Sequence, residues 1–478
     1  MPTPLESTAR GRAVAVLTES YYGDAMGHDL LEAAQARSRL SATDAALAAE
    51  IVLGVSRWRI TCEHIASHFY KGRWAGLRER ERVVLAVGVY QLCWLDRVPE
   101  YAAVDETVKI AHRYGKGFAA VANAILRHVV EIRGEIVESS PDLPPRRYLP
   151  LEPHRVRLFT EDVLPDPARK PLEYLIAAYA HPAWLVERWH RRFKPVLCRK
   201  ILEAGQRRPV LALRPNTLRI TAVHLREQII AELRAAGAAP PENEITVENL
   251  ALKPGGTGEC VIVRRPIPAT QLSAVRDGLC QPQDLASQRV LLLDPPLPGQ
   301  FVIDQCAGVG TKSTQAAELM GNEGVVLAAD VDEVKLQSAM QAAARLGIGT
   351  LQTSTIEKLG EALARISRAP DLILVDAPCL NTGVLARRPE ARYRAGQKAL
   401  TQITELQRQI LDHAASIAGP ATRIIYSTCS LEAEENEKQV ERFVADHPDW
   451  KKAEQHFTLP TFDCDGGFAC ALEHRTGH

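Results

Sequence analysis

The sequence predicts a multidomain fold: an all-α domain, a small α+β module and an α/β domain with a parallel sheet. Residues 1–142 show helical apolar spacing, residues 143–298 are rich in proline and basic residues, and from residue 299 short apolar runs alternate with helical stretches. The chain has 478 residues, 46% of them hydrophobic. This length suits about three domains of about 150 residues, each with its own core.

Three stretches of the first segment have helical character. Ala34 to Val55 is rich in Ala and Leu, Leu77 to Leu95 has helical apolar spacing, and Val104 to Val130 follows a break at Pro99. We therefore expect an all-α domain over residues 1–142.

The middle segment, residues 143–298, is expected to combine a linker with a basic module. Seven prolines fall between Ser139 and Pro167, too many for a helix or a central strand. The segment has 23 basic and 16 acidic residues, whereas the whole chain balances 58 against 58. Between Arg188 and Arg219, ten Lys or Arg residues accompany a single acid, Glu203. That imbalance favours phosphate contact over a merely solvated helix face.

Four apolar runs in residues 299–478 have the composition of buried strands: Phe301–Asp304, Val325–Asp330, Leu372–Asp376 and Arg423–Ser427. Three end in an acid and the fourth in small polar residues. Open α/β sheets bind ligands at the carboxyl ends of their strands, so we expect the chemistry there.

A loop of small residues follows the first strand and leads into a helix. Glycines allow a ligand to approach the backbone, and the first N–H groups of the helix, with Lys312, can face a carboxylate or phosphate. Asp330 closes the next strand, where an acid can accept hydrogen bonds from ribose hydroxyls. These residues leave open whether the ligand is a dinucleotide or S-adenosylmethionine.

The last two predicted strands each lead to a cysteine. Asp376-Ala-Pro-Cys379 follows one strand, and Cys429 follows the other. An unpaired cysteine is usually a core residue. Two strand-end cysteines beside one ligand loop are better explained as catalytic groups.

An acid and two thiols suit methylation of cytosine at carbon 5, which is too weak a nucleophile to attack a methyl donor unaided. A thiolate that adds to carbon 6, with a hydrogen bond or proton at N3, makes carbon 5 nucleophilic. A base then removes the carbon-5 proton and the thiol is expelled. From this chemistry alone either thiol could attack.

These segments resemble the RsmB/Sun/Nop2 family of RNA cytosine-C5 methyltransferases, over nearly the whole chain. The motifs that carry the resemblance are Asp304–Lys312, Asp376–Arg392, Tyr426–Asn436, Leu213–Arg219, Gln283–Ser287 and Asp465–Phe468. Three more segments resemble the NusB-type helical domain of the RsmB branch, which acts on small-subunit (16S) ribosomal RNA: Val87–Leu92, Asp96–Val108 and Asn123–Arg127.

The resemblance implies a NusB-like RNA-binding domain, a substrate-side module and a Rossmann-like class I methyltransferase domain that forms 5-methylcytosine. It implies that Cys429 is the nucleophile, Cys379 assists release and Asp376 holds the cytosine edge. DNA cytosine-C5 methyltransferases use the thiol equivalent to Cys379, but the RNA branch has both thiols. The residues implied for S-adenosylmethionine are Asp304, Cys306, Ala307, Gly308, Val309, Gly310, Thr311, Lys312, Asp330 and Asp376.

Two groups of residues are expected to contact RNA. Arg214, Asn216 and Arg219 belong to the motif that resembles the family's substrate-side segment. Arg387, Arg388 and Arg392 follow Cys379 closely, where phosphate clamping is favoured over a solvated surface.

Two alternatives remain open. In an RNA-binding ribosome-assembly factor, departures from the family pattern at Val309, Thr311 and Thr353 to Thr355 would have abolished cofactor binding. An amino-group methyltransferase would carry an Asn/Asp-Pro-Pro-aromatic loop, and Asp376-Ala-Pro-Cys379 lacks its second proline and its aromatic residue.

Several other classes of protein are disfavoured. The ten cysteines form no CxxC pair, so no metal site is expected. Met1 to Leu17 lacks the apolar stretch of a secretory signal. The longest apolar run, Val83 to Leu95, is shorter than the roughly 20 residues that a membrane span needs. We expect a cytoplasmic monomer whose partner is ribosomal RNA.

Overall fold

The computed structural model describes residues 5–22, 27–37, 40–140, 142–152, 154–241, 243–252 and 258–475. Residues 1–4 of the segment considered as a signal, and Pro141 and Pro153 of the expected linker, lie outside these ranges. The helices are α1 (Ala9–Tyr22), α2 (Gly27–Arg37), α3 (Ala42–Phe69), α4 (Glu79–Trp94), α5 (Glu100–Ala111), α6 (Lys116–Ile132), α7 (Pro171–Tyr179), α8 (Ala183–Gln206), α9 (Ala222–Ala235), α10 (Ser273–Arg276), α11 (Leu285–Leu292), α12 (Thr311–Leu319), α13 (Glu333–Leu346), α14 (Leu359–Ile366), α15 (Ala391–Arg394), α16 (Gln397–Ser416) and α17 (Glu437–Asp446). The strands are β1 (Arg133–Glu138), β2 (Tyr148–Glu152), β3 (Arg155–Phe159), β4 (Leu211–Pro215), β5 (Ile245–Asn249), β6 (Glu259–Val263), β7 (Cys280–Pro282), β8 (Phe301–Asp304), β9 (Val325–Asp330), β10 (Leu351–Thr355), β11 (Leu372–Asp376), β12 (Arg423–Thr428), β13 (Trp450–Thr458) and β14 (Gly467–His474).

The described residues form two compact units. The first contains the described residues up to Arg207 together with Leu385–Arg394, and the second contains those from Arg208 to Val384 and from Ala395 onward. The boundary between these two units does not coincide with either domain limit expected from the sequence, after residue 142 or after residue 298, and it tests neither of them. Both limits therefore stay predictions.

The first unit has a helical core to which α3 and α4 contribute many buried side chains, among them Ile51 and Leu85. The predicted helix Leu77–Leu95 is confirmed as α4. The helical character predicted for the other two stretches is confirmed in the described residues, but each stretch contains parts of two helices. The first is divided between α2 and α3, where Ser41 accepts a hydrogen bond from the Asp44 N–H as the N-cap of α3. The second is interrupted at Gly115, whose φ of 123° suits glycine.

The expected linker contains a small antiparallel sheet in the order β1-β3-β2. Pro150 lies in β2, an edge strand, where a residue without an N–H is tolerated. Leu149 and Phe159 from this sheet pack into the helical core. The linker prediction is therefore wrong, because prolines exclude central strands but not edge strands.

The second unit begins with the predicted α+β module. Its four-stranded sheet has the order β5-β6-β4-β7. Helix α9 packs against it through Leu225 and Ile229, which share a core with Leu213 and Val261. The small module is therefore confirmed.

The larger sheet of the second unit has the order β10-β9-β8-β11-β12-β14-β13. The first five strands are parallel, and β14 and β13 continue the sheet antiparallel. Three predicted strands match β8, β9 and β11, and the fourth extends one residue further in β12. The α/β domain is confirmed, but its sheet is mixed rather than parallel throughout.

The described residues contain neither a membrane-spanning helix nor a cluster of metal-binding side chains. None of the helices there has the length and apolarity to cross a membrane. Within the same residues, no three or more His, Cys, Asp or Glu side chains are grouped so that they could bind a metal ion.

Candidate active site

The acids at the ends of β8, β9 and β11 lie along one edge of the large sheet, because these strands are parallel and adjacent. Asp376 at the end of β11 is in register with Ser427 on β12. The sequence therefore places acids and hydroxyls at the edge of the sheet where two loops begin. These loops follow β11 and β12 and contain Cys379 and Cys429, and we call them the cysteine loops.

The glycine-rich loop after β8 is fixed by the acid of the neighbouring strand. The Gly308 N–H donates to Asp330 Oδ2 at 2.8 Å, and Asp330 Oδ1 accepts from the Asp332 N–H at 3.0 Å. Gly310 has a φ of 77°, and an added Cβ there would lie 2.6 Å from the Ala339 Cβ. An added Cβ at Gly308 would meet nothing within 4 Å, so the backbone there is open to a ligand.

Asp304, at the end of β8, is a buried acid in this loop. Its Oδ2 accepts a hydrogen bond from Ser313 Oγ at 2.7 Å, and its buried Oδ1 has no hydrogen-bond partner. Burial raises the pKa of Asp304 from 3.8 to about 7, although the Ser313 bond opposes the shift.

This raised pKa predicts how stability depends on pH. The folded state binds a proton that the unfolded state has lost, so the contribution of Asp304 is full below about pH 4 and is lost as the pH rises through about 7. We expect the free energy of unfolding to fall between pH 5 and pH 8, and Asp304→Asn to reduce this fall. Chemical denaturation across this range measures both slopes. Equal slopes in the two proteins would contradict the assignment.

Lys312 and Asp376 form an ion pair beside this loop, with Nζ and Oδ2 2.5 Å apart. Ser427 Oγ donates to the other oxygen of Asp376 at 2.7 Å. Burial lowers the pKa of Lys312, but the neighbouring carboxylates of Asp376 and Asp304 outweigh it, so the net shift is upward. Lys312 is therefore a fixed cation at the edge of the sheet.

The two cysteines meet at this edge. Cys379 Sγ and Cys429 Sγ are 3.2 Å apart, and neither residue is fully buried. Cys429 Sγ donates to Asn381 Oδ1 at 3.2 Å, while Asn381 Nδ2 donates to the Cys379 carbonyl at 2.8 Å. Asn381 has a φ of 59°, a conformation that asparagine tolerates better than most residues.

The thiols differ in their electrostatic surroundings. The hydrogen bond with Cys429 and burial raise the pKa of Cys379 well above its usual value, and the charge of Glu435 adds to this. Lys312 lies close enough to Cys429 for the two side chains to interact electrostatically. Burial also raises the pKa of Cys306 in the glycine loop. Cys379 and Cys306 are thus held as neutral thiols.

Three residues expected to contact RNA lie in the interior, so those predictions are wrong. Arg214 is 5% exposed, and its guanidinium pairs with Glu318 at 2.8 Å. Asn216 is fully buried, and its Nδ2 donates to the carbonyls of Gly278 and Leu346. Neither side chain can reach a phosphate in this conformation.

Arg392 is the third of these residues and belongs to the first unit. Its guanidinium is fully buried and donates to five backbone carbonyls, those of Arg57, Ala180, Gly205, Leu385 and Pro389. Burial lowers the pKa of Arg392 to about 10. The side chain holds Leu385–Arg394 against the helical unit rather than facing solvent.

Arg392→Lys tests this structural role. A lysine keeps the charge but cannot reach the carbonyls that a planar guanidinium bridges, so we expect a loss of about 2 to 4 kcal/mol in stability. Denaturant unfolding measures it. The control is Arg388→Lys, since Arg388 is exposed. A similar stability for both variants would show that the carbonyl contacts contribute little.

The other RNA-contact candidates are accessible. Arg387 and Arg388 are exposed. Arg219 is also exposed and donates through Nη1 to the Asp277 carbonyl at 2.8 Å. Their contact with RNA stays a prediction.

Four site residues were not singled out in the sequence: Asn381, Gln407, Ser427 and Glu435. Each hydrogen-bonds a residue of the cysteine loops or Asp376. Ser427 and Asn381 carried a signal, because one ends a strand and the other follows Cys379 closely. Gln407 carried none, since it lies on a helix that the chain enters well after the loop.

The mixed seven-stranded sheet, the glycine loop and the strand-end acids belong to a methyltransferase domain. Residues 290–464 match the family described as 16S rRNA methyltransferase RsmB/F, residues 7–131 match the NusB family, and residues 181–255 match the ferredoxin-like domain of RsmF/B-like methyltransferases. Residues 290–464 are therefore similar to the RsmB/F methyltransferases, and the segment 7–131 is similar to the NusB family.

Similar proteins cover nearly the whole chain. A relative from Bacillus subtilis, named as a probable ribosomal RNA small subunit methyltransferase B, is 26% identical over 455 residues, 93% of this chain and 90% of its own. A relative from Synechocystis with the same name is 28% identical over 475 residues, 98% of this chain and 96% of its own. The crystal structure titled PH0851 matches with a TM-score of 0.69 at 21% identity and covers 99% of both chains, which supports the fold.

Proposed function

We propose that this protein uses S-adenosylmethionine to form 5-methylcytosine in small-subunit (16S) ribosomal RNA through a covalent cysteine–RNA intermediate. The observation that carries the proposal is the pair of thiols 3.2 Å apart at the edge of the sheet where Asp376 ends its strand. Two thiols and an acid are the groups that cytosine-C5 methylation needs.

The residues of the glycine loop fit the cofactor. Asp330 would accept hydrogen bonds from the ribose hydroxyls. The Oδ1 atom of Asp304, which has no hydrogen-bond partner, can accept a hydrogen bond from the amino group of the methionine part of the cofactor. Val331, which follows Asp330, is 83% exposed and offers apolar surface to adenine. When bound, the cofactor supplies an electrophilic methyl group.

Thr355 belongs to the Thr353–Thr355 segment that departs from the family pattern, and it is in register with Asp330 on the neighbouring strand. Its Oγ1 is buried and has no hydrogen-bond partner. We assign this hydroxyl to the adenine edge, where it could accept a hydrogen bond from the amino group of the base.

Three side chains of the site, those of Cys429, Asp376 and Cys379, have separate roles in the rest of the reaction. Cys429 Sγ bonds to carbon 6, while Asp376, paired with Lys312, holds the N3 edge of the ring. Carbon 5 then carries the electron density that accepts a methyl group. Water takes the carbon-5 proton as the bond between carbon 6 and Cys429 Sγ breaks, which restores the double bond between carbons 5 and 6. Cys429 leaves as a thiolate, and the neutral thiol of Cys379 lies where it can protonate that thiolate.

Ribosomal RNA is the substrate that the family description and the names of the relatives favour. On this chain, Arg219, Arg387 and Arg388 are exposed cations suited to phosphates. Binding through them should weaken steeply as salt increases.

The test is methyl transfer to 16S ribosomal RNA from radiolabelled S-adenosylmethionine, followed by digestion to nucleosides. We expect label only in 5-methylcytidine. Label in N4-methylcytidine or N6-methyladenosine would replace the assigned reaction with amino-group methylation. RNA binding without transfer, and without S-adenosylmethionine binding in titration calorimetry, would favour an assembly factor.

A further inference from the structure

Both cysteine loops form hydrogen bonds to the carboxylate of one residue, Glu435. Glu435 Oε2 accepts from the N–H of Leu380, the residue after Cys379, at 3.0 Å. Glu435 Oε1 accepts from the Oγ of Ser430, the residue after Cys429. One side chain therefore bridges the residues that immediately follow the two thiols.

A second bond fixes the Cys379 side of this bridge. Gln407 Nε2 donates to Glu435 Oε2 at 2.9 Å and to the Pro378 carbonyl at 2.9 Å. Glu435 and Gln407 are fully buried, and Tyr426 OH donates to the Glu435 carbonyl at 2.7 Å. Cys379 is thus held through the residues on either side of it.

Other contacts join the loops further along the chain. The Gly383 N–H donates to the Cys429 carbonyl at 2.9 Å, and Thr382 Oγ1 and Ser430 Oγ are 3.1 Å apart. These bonds would keep the loops together without Glu435. Leu380 and Pro378, however, would lose the carboxylate that fixes them relative to Ser430.

We propose that Glu435 is a positioning residue that sets the separation and orientation of the Cys379 and Cys429 thiols. Its importance for methylation rests on the proposed function, because only that reaction uses both thiols. The geometric effect does not, since the thiols can be tested without RNA or cofactor.

The test is the rate at which diamide joins Cys379 to Cys429 in the full chain without RNA. Each thiol loses its proton and one electron as the S–S bond forms, and diamide takes up two protons and two electrons to become the hydrazine. Peptide mapping identifies the bond. We expect Glu435→Ala to slow this step at least about tenfold, because displacements of about 1 Å can cost reacting groups about a hundredfold.

Alkylation of Cys379 by iodoacetamide separates geometry from acidity. The hydrogen bond with Cys429 and burial raise the pKa of Cys379, and the Glu435 charge adds to this. In Glu435→Ala, Cys379 should therefore react with iodoacetamide at least as fast as in wild type while it crosslinks more slowly. Glu435→Gln keeps the shape of the side chain, but its amide NH₂ replaces one oxygen that accepts a hydrogen bond in the wild type. We therefore expect its crosslinking rate to lie between those of wild type and Glu435→Ala. Glu434→Gln is the matched control, because Glu434 pairs with Lys438 instead.

Unfolding curves and S-adenosylmethionine binding show whether the variants are folded. If Glu435→Ala does not fold, Glu435→Gln and Ser430→Ala decide the matter, since each removes one end of the bridge. Wild-type crosslinking rates in the folded variants would overturn the proposal. Slowed crosslinking in a protein that never methylates RNA would retain the bridge and reject the proposed function.

Discussion

Cys429→Ala is expected to abolish methyl transfer and to leave no protein attached to RNA. Removing a nucleophile that forms the covalent intermediate costs at least about a thousandfold in kcat. Cys379→Ala is expected to behave differently, because the covalent bond still forms but release is impaired. It should accumulate an adduct that survives denaturing electrophoresis.

The measurement combines wild type and the two variants with 16S ribosomal RNA and radiolabelled S-adenosylmethionine, and follows both transferred methyl and adduct. Cys470→Ala is the matched control, since Cys470 is buried in β14 and belongs neither to the cofactor loop nor to the pair of thiols. If Cys379→Ala alone prevents the adduct, the two cysteine roles are reversed.

The charges around the thiols support this order of roles. The hydrogen bond with Cys429 and burial favour the protonated form of Cys379, and the charge of Glu435 adds to this. A protonated thiol can donate a proton but is a poor nucleophile. Lys312 interacts electrostatically with Cys429, so a cation lies beside the thiol assigned to attack. The sequence alone left either thiol as a candidate, because it could not show these neighbours.

The local sequence pattern was sufficient to predict strands that consist of short apolar runs. β8, β9 and β11 begin and end where their composition changes, because each is buried and its acid ends the run. β13 and β14 were not predicted. Trp450–Thr458 reads as mostly polar, since β13 is an edge strand with one face partly in solvent. Its pairing with β14 depends on contacts that the sequence does not reveal.

The basic segment from Arg188 to Arg219 shows a different limit of prediction from the sequence. Ten cations against one acid between Arg188 and Arg219 suggested an exposed basic face, but local counting omits partners that are distant in the chain. Arg214 finds its counter-charge at Glu318, about a hundred residues further on. Asn216 likewise pairs with backbone carbonyls from two later segments. Motif position identified important residues here, but not what they contact.

Arg214→Met is expected to destabilise the second unit by about 3 to 5 kcal/mol, the usual cost of leaving one partner of a buried ion pair without the other. Burial already raises the pKa of Glu318 more than Arg214 lowers it. Without Arg214 this carboxyl should become protonated on folding, so the loss should be smaller at acidic pH. Arg214 also donates to the Thr311 carbonyl and to Thr314 Oγ1, in the first turn of α12 after the glycine loop. S-adenosylmethionine binding should therefore weaken as well.

Arg219→Ala separates this structural role from RNA contact, because Arg219 lies in the same motif but is exposed. We expect its stability to stay within about 0.5 kcal/mol of wild type while its RNA affinity falls. Arg214→Met combined with Glu318→Leu should recover much of the lost stability, since no unpaired charge remains buried. Denaturant unfolding and RNA binding, measured on the same three variants, give the comparison. Unchanged stability in Arg214→Met with reduced RNA affinity would return Arg214 to the RNA-binding surface.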